Sequence, residues 1–370
     1  MEFLKSHKSS EEFSVQDVVA ILEDSQGPPL SSEDSEIARD LYSEILKTSC
    51  LPEWWTSQES AYLSRIVESE RALSYLIFRH KFRKYPQEYF VPEFPTYVLI
   101  EPVSSCNLRC PFCFQSDKTF TRRPYMGFMD MELFTRIVDE CEEGGTGAVT
   151  LASRGEPTLH PQFTDMLDYL SGKFYETKMN TNATRLTEEI CHAILRNGIN
   201  DVVLSIDSEQ PEVFEIMRKN AKFDKVLDHV KLLNRIRDKY YPESNTVIRI
   251  SAVEYLPEQD RGAFAEFWDE LADEITIELA QERWDTYNNT ILPDLTTPCG
   301  YPWERLYVWF DGICNPCDVD YKSELSPGTI ADGTSIRSIW NSPSLTELRR
   351  AHLAGERTKI LPCDRCGVCP

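Results

Sequence analysis

The sequence predicts an α/β protein built on a parallel sheet, open or curled toward a barrel, with a helical extension before it and a small metal-stapled domain after it. Three observations predict this. Between Thr96 and about residue 285, short β-branched runs alternate with longer amphipathic stretches, the rhythm of repeated β-α units. Before them, residues 1 to about 92 place apolar residues three or four apart and show little strand alternation. Of the 12 cysteines, nine crowd into two clusters instead of spreading as disulfide partners do, which points to metal.

The elements follow in order. VQDVVAILED, SEDSEIARDLYSEILK and ESAYLSRIVESERALSYLIFRHKF are the helices of the extension, closed by PQEYFVPEFP, whose three prolines make a stiff boundary near residue 92. TYVLIE, AVTLAS, ETKMNTN, DVVLSID, TVIRISAV and EITIELA are the strands of a central domain over 93–290, with helices expected near 130–143, 161–172, 187–197, 211–238 and 258–272. Residues 291–370 turn Cys-, Pro- and Gly-rich, with a hairpin in ERLYVWFDGICNP and a short helix in SLTELRRAHL. In parallel β/α architectures the ligand site lies at the carboxyl ends of the strands, so the loops there are where chemistry is sought.

The charge balance narrows the partners. With 39 Lys+Arg against 61 Asp+Glu the net charge is -22, which disfavours nucleic acid and anionic membranes. MEFLKSHKSSEEF has no apolar signal core and no run of about 18 apolar residues occurs anywhere, so a cytoplasmic protein is expected. The basic run Arg79, His80, Lys81, Arg83 and Lys84 reads as a solvated helix face, or else as a contact for a substrate phosphate or acidic leader.

Immediately after the first strand, EPVSSCNLRCPFCFQSD places Cys106, Cys110 and Cys113 in one loop. Three thiolates can ligate an iron-sulfur cube and leave one iron open to a substrate or cofactor; the alternative is structural zinc completed by a distant ligand. The Cys-x3-Cys-x2-Cys arrangement, with aromatic Phe112 before the last cysteine, resembles the radical S-adenosylmethionine (SAM) superfamily across about residues 95–285.

The resemblance implies a partial (β/α)6 TIM-like barrel whose open iron chelates SAM. Its reductive cleavage would give a 5'-deoxyadenosyl radical able to take hydrogen from an unactivated C–H bond. SRGEP resembles the family's Gly-Gly-Glu-Pro element, with Gly155 allowing close backbone approach, Glu156 accepting from the SAM ammonium, and Arg154 in place of the first glycine. Asn180 and Asn182, and Ser205 and Asp207, end the third and fourth strands where the family binds the ribose and carboxylate; as turn and cap types they have a plain structural reading too. Arg218 resembles an arginine that meets the SAM carboxylate, and Phe112 an adenine contact. Residues 250–254 match a degenerate adenine motif.

In the tail, Cys299, Gly312 and Cys317, then Cys363-x-x-Cys366, resemble the opening and later pair of the SPASM and Twitch domains that carry auxiliary clusters. The resemblance implies one auxiliary 4Fe-4S cluster on Cys299, Cys317, Cys363 and Cys366, with Cys314 and Cys369 spare; a zinc ribbon is the alternative. Cys50, Cys141 and Cys191 read as buried small apolar residues.

The function expected from this resemblance is hydrogen abstraction from a small polar substrate, a sugar or aminocyclitol, giving oxidation or epimerisation. Cys314 is the candidate hydrogen donor, and flavodoxin or ferredoxin the reductant. The alternatives are a maturase that crosslinks or epimerises a ribosomally made peptide and a non-catalytic metal-bound scaffold. Tyr125, Tyr255, Trp284 and Trp303 are the candidates for stacking on the substrate.

Overall fold

The computed structural model describes residues 2–6, 13–23, 30–64, 66, 71–281 and 285–368. Two compact units result, one of Met1–Lys5 with Val91–Pro370 and the other of Ser6–Phe90.

The chain opens with a strand, β1 (Glu2–Lys5), that belongs to the larger unit. The smaller unit then consists of α1 (Val15–Glu23), α2 (Ser32–Thr48), α3 (Ser57–Leu63) and α4 (Arg71–Glu88). Ser31 caps α2 by accepting from the Asp34 N–H, and Thr56 with Glu59 forms a capping box on α3. Ile37, Leu41, Trp54, Ile77 and Tyr85 make its core. Three residues of the basic run are engaged within the unit and are not a solvated face. Arg79 is buried against Glu59, Arg83 reaches the same carboxylate at 3.3 Å, and Lys81 pairs with Asp34 at 2.6 Å. Cys50, expected inside, is exposed, whereas Cys141 and Cys191 are buried.

The larger unit alternates β2 (Tyr97–Ile100), α5 (Met131–Glu143), β3 (Ala148–Leu151), α6 (Phe163–Leu170), β4 (Glu176–Thr181), α7 (Glu188–Arg196), β5 (Asp201–Ser205), α8 (Pro211–Met217), α9 (Phe223–Tyr240), β6 (Val247–Glu254), α10 (Arg261–Trp268) and β7 (Glu274–Leu279). The six strands pair in parallel in sequence order. The helix expected over 211–238 is broken into α8 and α9, and Arg218 stands at the break beside Asn220, whose φ is 83°. The remaining elements are α11 (Tyr301–Glu304), β8 (Leu306–Val308), β9 (Ile313–Asn315), β10 (Gly328–Thr329), α12 (Ile336–Trp340) and α13 (Pro343–Leu353).

The sheet runs β1-β7-β6-β5-β4-β3-β2-β8-β9-β10. Its two end strands are not paired with each other, so the barrel is partial and stays open. The expected hairpin β8–β9 exists, but β8 also joins the barrel sheet in parallel with β2, Leu99 opposite Tyr307. β1 covers the other edge antiparallel to β7, a common remedy for an exposed strand edge.

One face of the sheet carries Ile100, Leu151, Met179, Val202, Ile250 and Ile275, packed with α5–α10 in the main core. Alternation sends Glu101, Lys178, Asn180, Arg249, Glu274 and Thr276 to the opposite, inner face. That face is polar: Arg249 bridges Glu274 at 2.6 Å and Asp201 at 3.1 Å.

Candidate functional site

The loop after β2 brings Cys106, Cys110 and Cys113 to the carboxyl end of the parallel strands. Each sulfur is met by an N–H group. Leu108 donates its backbone N–H to Cys106 Sγ at 3.4 Å and Gln115 to Cys113 Sγ at 3.5 Å, while Arg218 Nη1 reaches Cys110 Sγ at 3.9 Å. Asn182 Nδ2 adds a second donor to Cys106 at 3.8 Å. Burial pushes the Cys106 thiol up to about 12, with Glu156 and the neighbouring cysteines adding to it, and burial raises Cys110 as well. Sulfurs so buried become thiolates when a cationic group binds them, and amide donors aimed at sulfur suit an iron-sulfur cluster.

At Gly155 the backbone makes a close approach to the cysteine loop. A Cβ there would stand 2.1 Å from Val103 O and 2.6 Å from Ser105 O, so the glycine lets the β3 turn press on the cysteine loop, where Glu156 N donates to Ser105 O at 3.0 Å. Glu156 is buried and ties strand ends together: Oε1 accepts from Thr158 Oγ1 and Thr181 Oγ1, both at 2.6 Å, and Oε2 from Asn182 N at 2.7 Å. Burial raises its carboxyl while those donors pull it back, and Oε2 keeps room for one further donor.

Asp207 and Arg218 form one unit. Asp207, 1% exposed, accepts from Arg218 Nε at 2.5 Å and Nη2 at 2.8 Å and from Val253 N at 3.0 Å, so it holds the arginine against Cys110 instead of standing free for a cofactor. Arg218 also lies 5.4 Å from the Phe112 ring, which packs on exposed Tyr255 at 5.6 Å. Asn182 bonds Asn107 at 3.0 Å within the cysteine loop. Asn180 faces inward with Oδ1 buried and unbonded among the described residues. Ser205, half-buried, ends β5 opposite Ser251. Ser153, at a φ of 113° that side chains rarely adopt, buries an Oγ without a partner among the described residues. Such orphaned oxygens beside the cysteine loop fit a polar cofactor better than an apolar one.

In the C-terminal region, Cys299, Cys317, Cys363 and Cys366 line one cavity. Burial pushes Cys363 up to about 12, with Cys366 adding to it, and Cys317 rises for the same reasons, with Cys363 beside it. Four converging sulfurs, free of disulfides, suit a cluster held wholly by protein.

Other expectations are corrected. Cys314 pairs with Val308 on the helix-covered face, fully buried in the main core near Cys141, so it does not line the inner face where a hydrogen donor was expected. Trp303 is buried against His352 and offers no stacking face. Tyr125 is half-buried against Phe120. Cys369 and Trp284 lie outside the described residues.

Sequence reasoning missed Glu101 and Gln115. Gln115 Nε2 donates to Ser104 O and Arg154 O, bracing the loop. Glu101 pairs with Arg154, and an acidic residue directly after an apolar strand was the available signal.

Two family models match: the radical SAM superfamily over residues 100–267 and an iron-sulfur cluster-binding (SPASM) domain over 299–370. The chain carries a radical SAM domain. It carries a C-terminal SPASM domain, and its cofactors are SAM, the 4Fe-4S cluster that binds it and an auxiliary cluster. Among curated relatives, it is 33% identical over 112 residues to the tungsten-containing aldehyde ferredoxin oxidoreductase cofactor-modifying protein of Pyrococcus furiosus, 30% of each chain. It is 31% identical over 120 residues to the mycofactocin maturase MftC of Mycobacterium tuberculosis, 32% of this chain and 29% of that one. The matches therefore span less than a third of those relatives' length. Among solved structures, SuiB of Streptococcus suis bound to precursor peptide SuiA has a TM-score of 0.60 at 15% identity, covering 92% of this chain and 93% of that one. BtrN in complex with AdoMet and 2-DOIA has a TM-score of 0.52 at 18% identity, covering 74% and 92%. Both likenesses are of fold. No helix among the described residues is long and apolar enough to cross a membrane.

Proposed function

We propose that Cys106, Cys110 and Cys113 hold the SAM-binding cluster, that Cys299, Cys317, Cys363 and Cys366 hold the auxiliary one, and that the enzyme abstracts hydrogen from a small polar substrate, oxidising it or inverting a centre. When bound, these groups supply reductive cleavage of SAM, hydrogen-atom abstraction and a one-electron reservoir. Glu156 Oε2 offers an acceptor for the SAM ammonium. Arg218, fixed by Asp207, holds its cation between the Phe112 ring and Cys110, where a carboxylate can be met. Asn180 and Ser205 supply hydrogen-bonding groups on the inner face for the ribose or the substrate. Gln115 and Gly155 keep the loop in place. Flavodoxin or ferredoxin would deliver the electron.

The observation that supports a small polar substrate is the inner face itself, where Asn180 Oδ1 and Thr276 Oγ1 are buried without partners among the described residues. A site with such unpaired groups favours a ligand bearing hydroxyls or amines over an apolar one. A second reading, peptide maturation, is supported by the names of MftC and SuiB and by the extent of the SuiB likeness. Among the described residues of 6–90 there is no strand, so a peptide would be recognised through helices.

The test is reconstitution under anaerobic conditions with SAM and a chemical reductant, offering deuterated aminocyclitols and sugars in one arm and deuterated peptides in the other. Deuterium in 5'-deoxyadenosine from the small molecules supports the first reading; transfer from peptides alone overturns it.

A further inference from the structure

The inner face of the sheet carries a lysine that no carboxylate engages among the described residues. Lys178, within β4, is half-buried, with Thr150 beside it on β3 and Asp201 beside it on β5. Its amine makes no hydrogen bond or ion pair among the described residues. The charges that act on it are Asp201, Arg249, Arg305 and Glu176. Asp201 and Glu274 share Arg249, at 3.1 and 2.6 Å, and Arg305 is paired with Glu304 beside the Tyr97 ring. Lysine is rarely buried without an ion pair, because taking its charge out of water is costly.

Asn180 follows it on the same inner face, about 7 Å along the strand, with Oδ1 buried and unbonded among the described residues. β4 ends at Thr181, and the next residue, Asn182, bonds Asn107 in the cysteine loop. The amine therefore stands one pleat below the groups that meet the cysteine loop. Burial pushes the Lys178 ammonium below the ordinary 10.5, with Arg249 and Arg305 adding to it and Asp201 and Glu176 acting against it. The thiols that could instead return a hydrogen atom to a substrate, Cys141, Cys191 and Cys314, are all buried in the main core on the helix-covered side.

We propose that Lys178 is the general base that takes the hydroxyl proton of the substrate, so that the reaction is oxidation and not inversion. The proposal rests on the reading that a small hydroxylated substrate binds the inner face. Atoms and electrons balance: the C–H hydrogen leaves as an atom and ends in 5'-deoxyadenosine, the O–H proton goes to the Lys178 amine, and one electron passes to the auxiliary cluster and on to an oxidised one-electron carrier. The C–O single bond becomes a carbonyl. A hydroxyl on a carbon that has lost its hydrogen atom is far more acidic than an alcohol, so an amine suffices as the acceptor.

The experiment has two arms, both on the reconstituted full-length protein. In the first, anaerobic reductive methylation with isotope-labelled formaldehyde is followed by nuclear magnetic resonance across pH, with K178R identifying the resonance. A resonance missing from K178R titrates below those of the exposed lysines; its absence from wild type, or its titration together with the exposed lysines, overturns the proposal. In the second, deuterated aminocyclitols and sugars are offered with SAM and a chemical reductant. Carbonyl product per deuterated 5'-deoxyadenosine falls at least about 100-fold in K178M, and K178R does not restore it, because arginine keeps its proton. K178H restores part of it as pH rises from about 5.5 to 7.5, because its imidazole accepts a proton only when neutral. An unchanged ratio in K178M or K178R at matched iron content overturns the proposal. Wild-type protein that forms no carbonyl product from any of these compounds overturns the underlying substrate reading instead.

Discussion

Arg154 and Glu101 form a buried two-point ion pair, Nη2 to Oε1 at 2.6 Å and Nε to Oε2 at 2.7 Å, where the superfamily's motif has a glycine. The arginine also donates from Nη1 to Tyr321 O at 2.9 Å and lies 4.2 Å from the Trp309 ring, while Glu101 accepts from Phe310 N at 3.3 Å. The departure from the motif is thus a junction. One side chain fastens the strand ends that carry the SAM motif to the segment just after Cys317.

R154A leaves the Glu101 carboxylate buried without its partner, a loss of about 3–5 kcal/mol for a buried pair. Chemical denaturation should show it. The double variant R154M/E101L should be less damaged than the sum of its single changes, because the two residues act as one unit.

G155A forces a methyl group to within 2.1 Å of a backbone oxygen that cannot swing aside. The cysteine loop must shift, so the SAM-binding cluster is lost and the auxiliary one kept. Iron analysis should fall from about eight to about four atoms per chain.

R218M removes the donor to Cys110 and strands the Asp207 carboxylate. We expect 5'-deoxyadenosine release to drop by at least about tenfold, as for loss of a charge-assisted contact worth roughly 1.5–3 kcal/mol. R218K should not restore it, since an ammonium cannot make the two-point contact with Asp207. Chromatographic assay of 5'-deoxyadenosine at matched iron content checks both.

Glu59 contributes a pH dependence to the helical unit. Burial pushes its carboxyl up, but Arg79, the Thr56 hydroxyl and Arg83 outweigh burial and hold it below the ordinary 4.5. A carboxyl depressed on folding contributes stability that is present above its unfolded pKa and lost as pH falls through the folded one. Melting curves from pH 6 down to pH 3 should therefore show a loss below about pH 4.5 that E59Q, already destabilised at pH 7, lacks.

Much of the site was legible because it is local. The spacing of Cys106, Cys110 and Cys113 within one loop, the Gly155-Glu156 pair and the Cys363-x-x-Cys366 pair are short-range patterns that survive reading along the chain. The strand-helix alternation was legible for the same reason, since side-chain period reflects burial of one face. What failed had no period or depended on a distant partner. The four residues of β1 are too few to show alternation, and Cys314 looked like a spare thiol until β9 turned it to the helix-covered face.

The sequence by itself determined the parallel β/α frame and the two cysteine clusters, because hydrophobic rhythm and thiolate spacing are written in neighbouring residues, and the class of chemistry and the cofactors followed from the resemblance those motifs carry. Tertiary structure alone decided that Asp207 serves Arg218 and that Arg154 closes on Glu101. Each is a pairing of buried charges brought together across the fold, where low dielectric makes an unpartnered charge costly and so selects the partner by position, not by order in the chain.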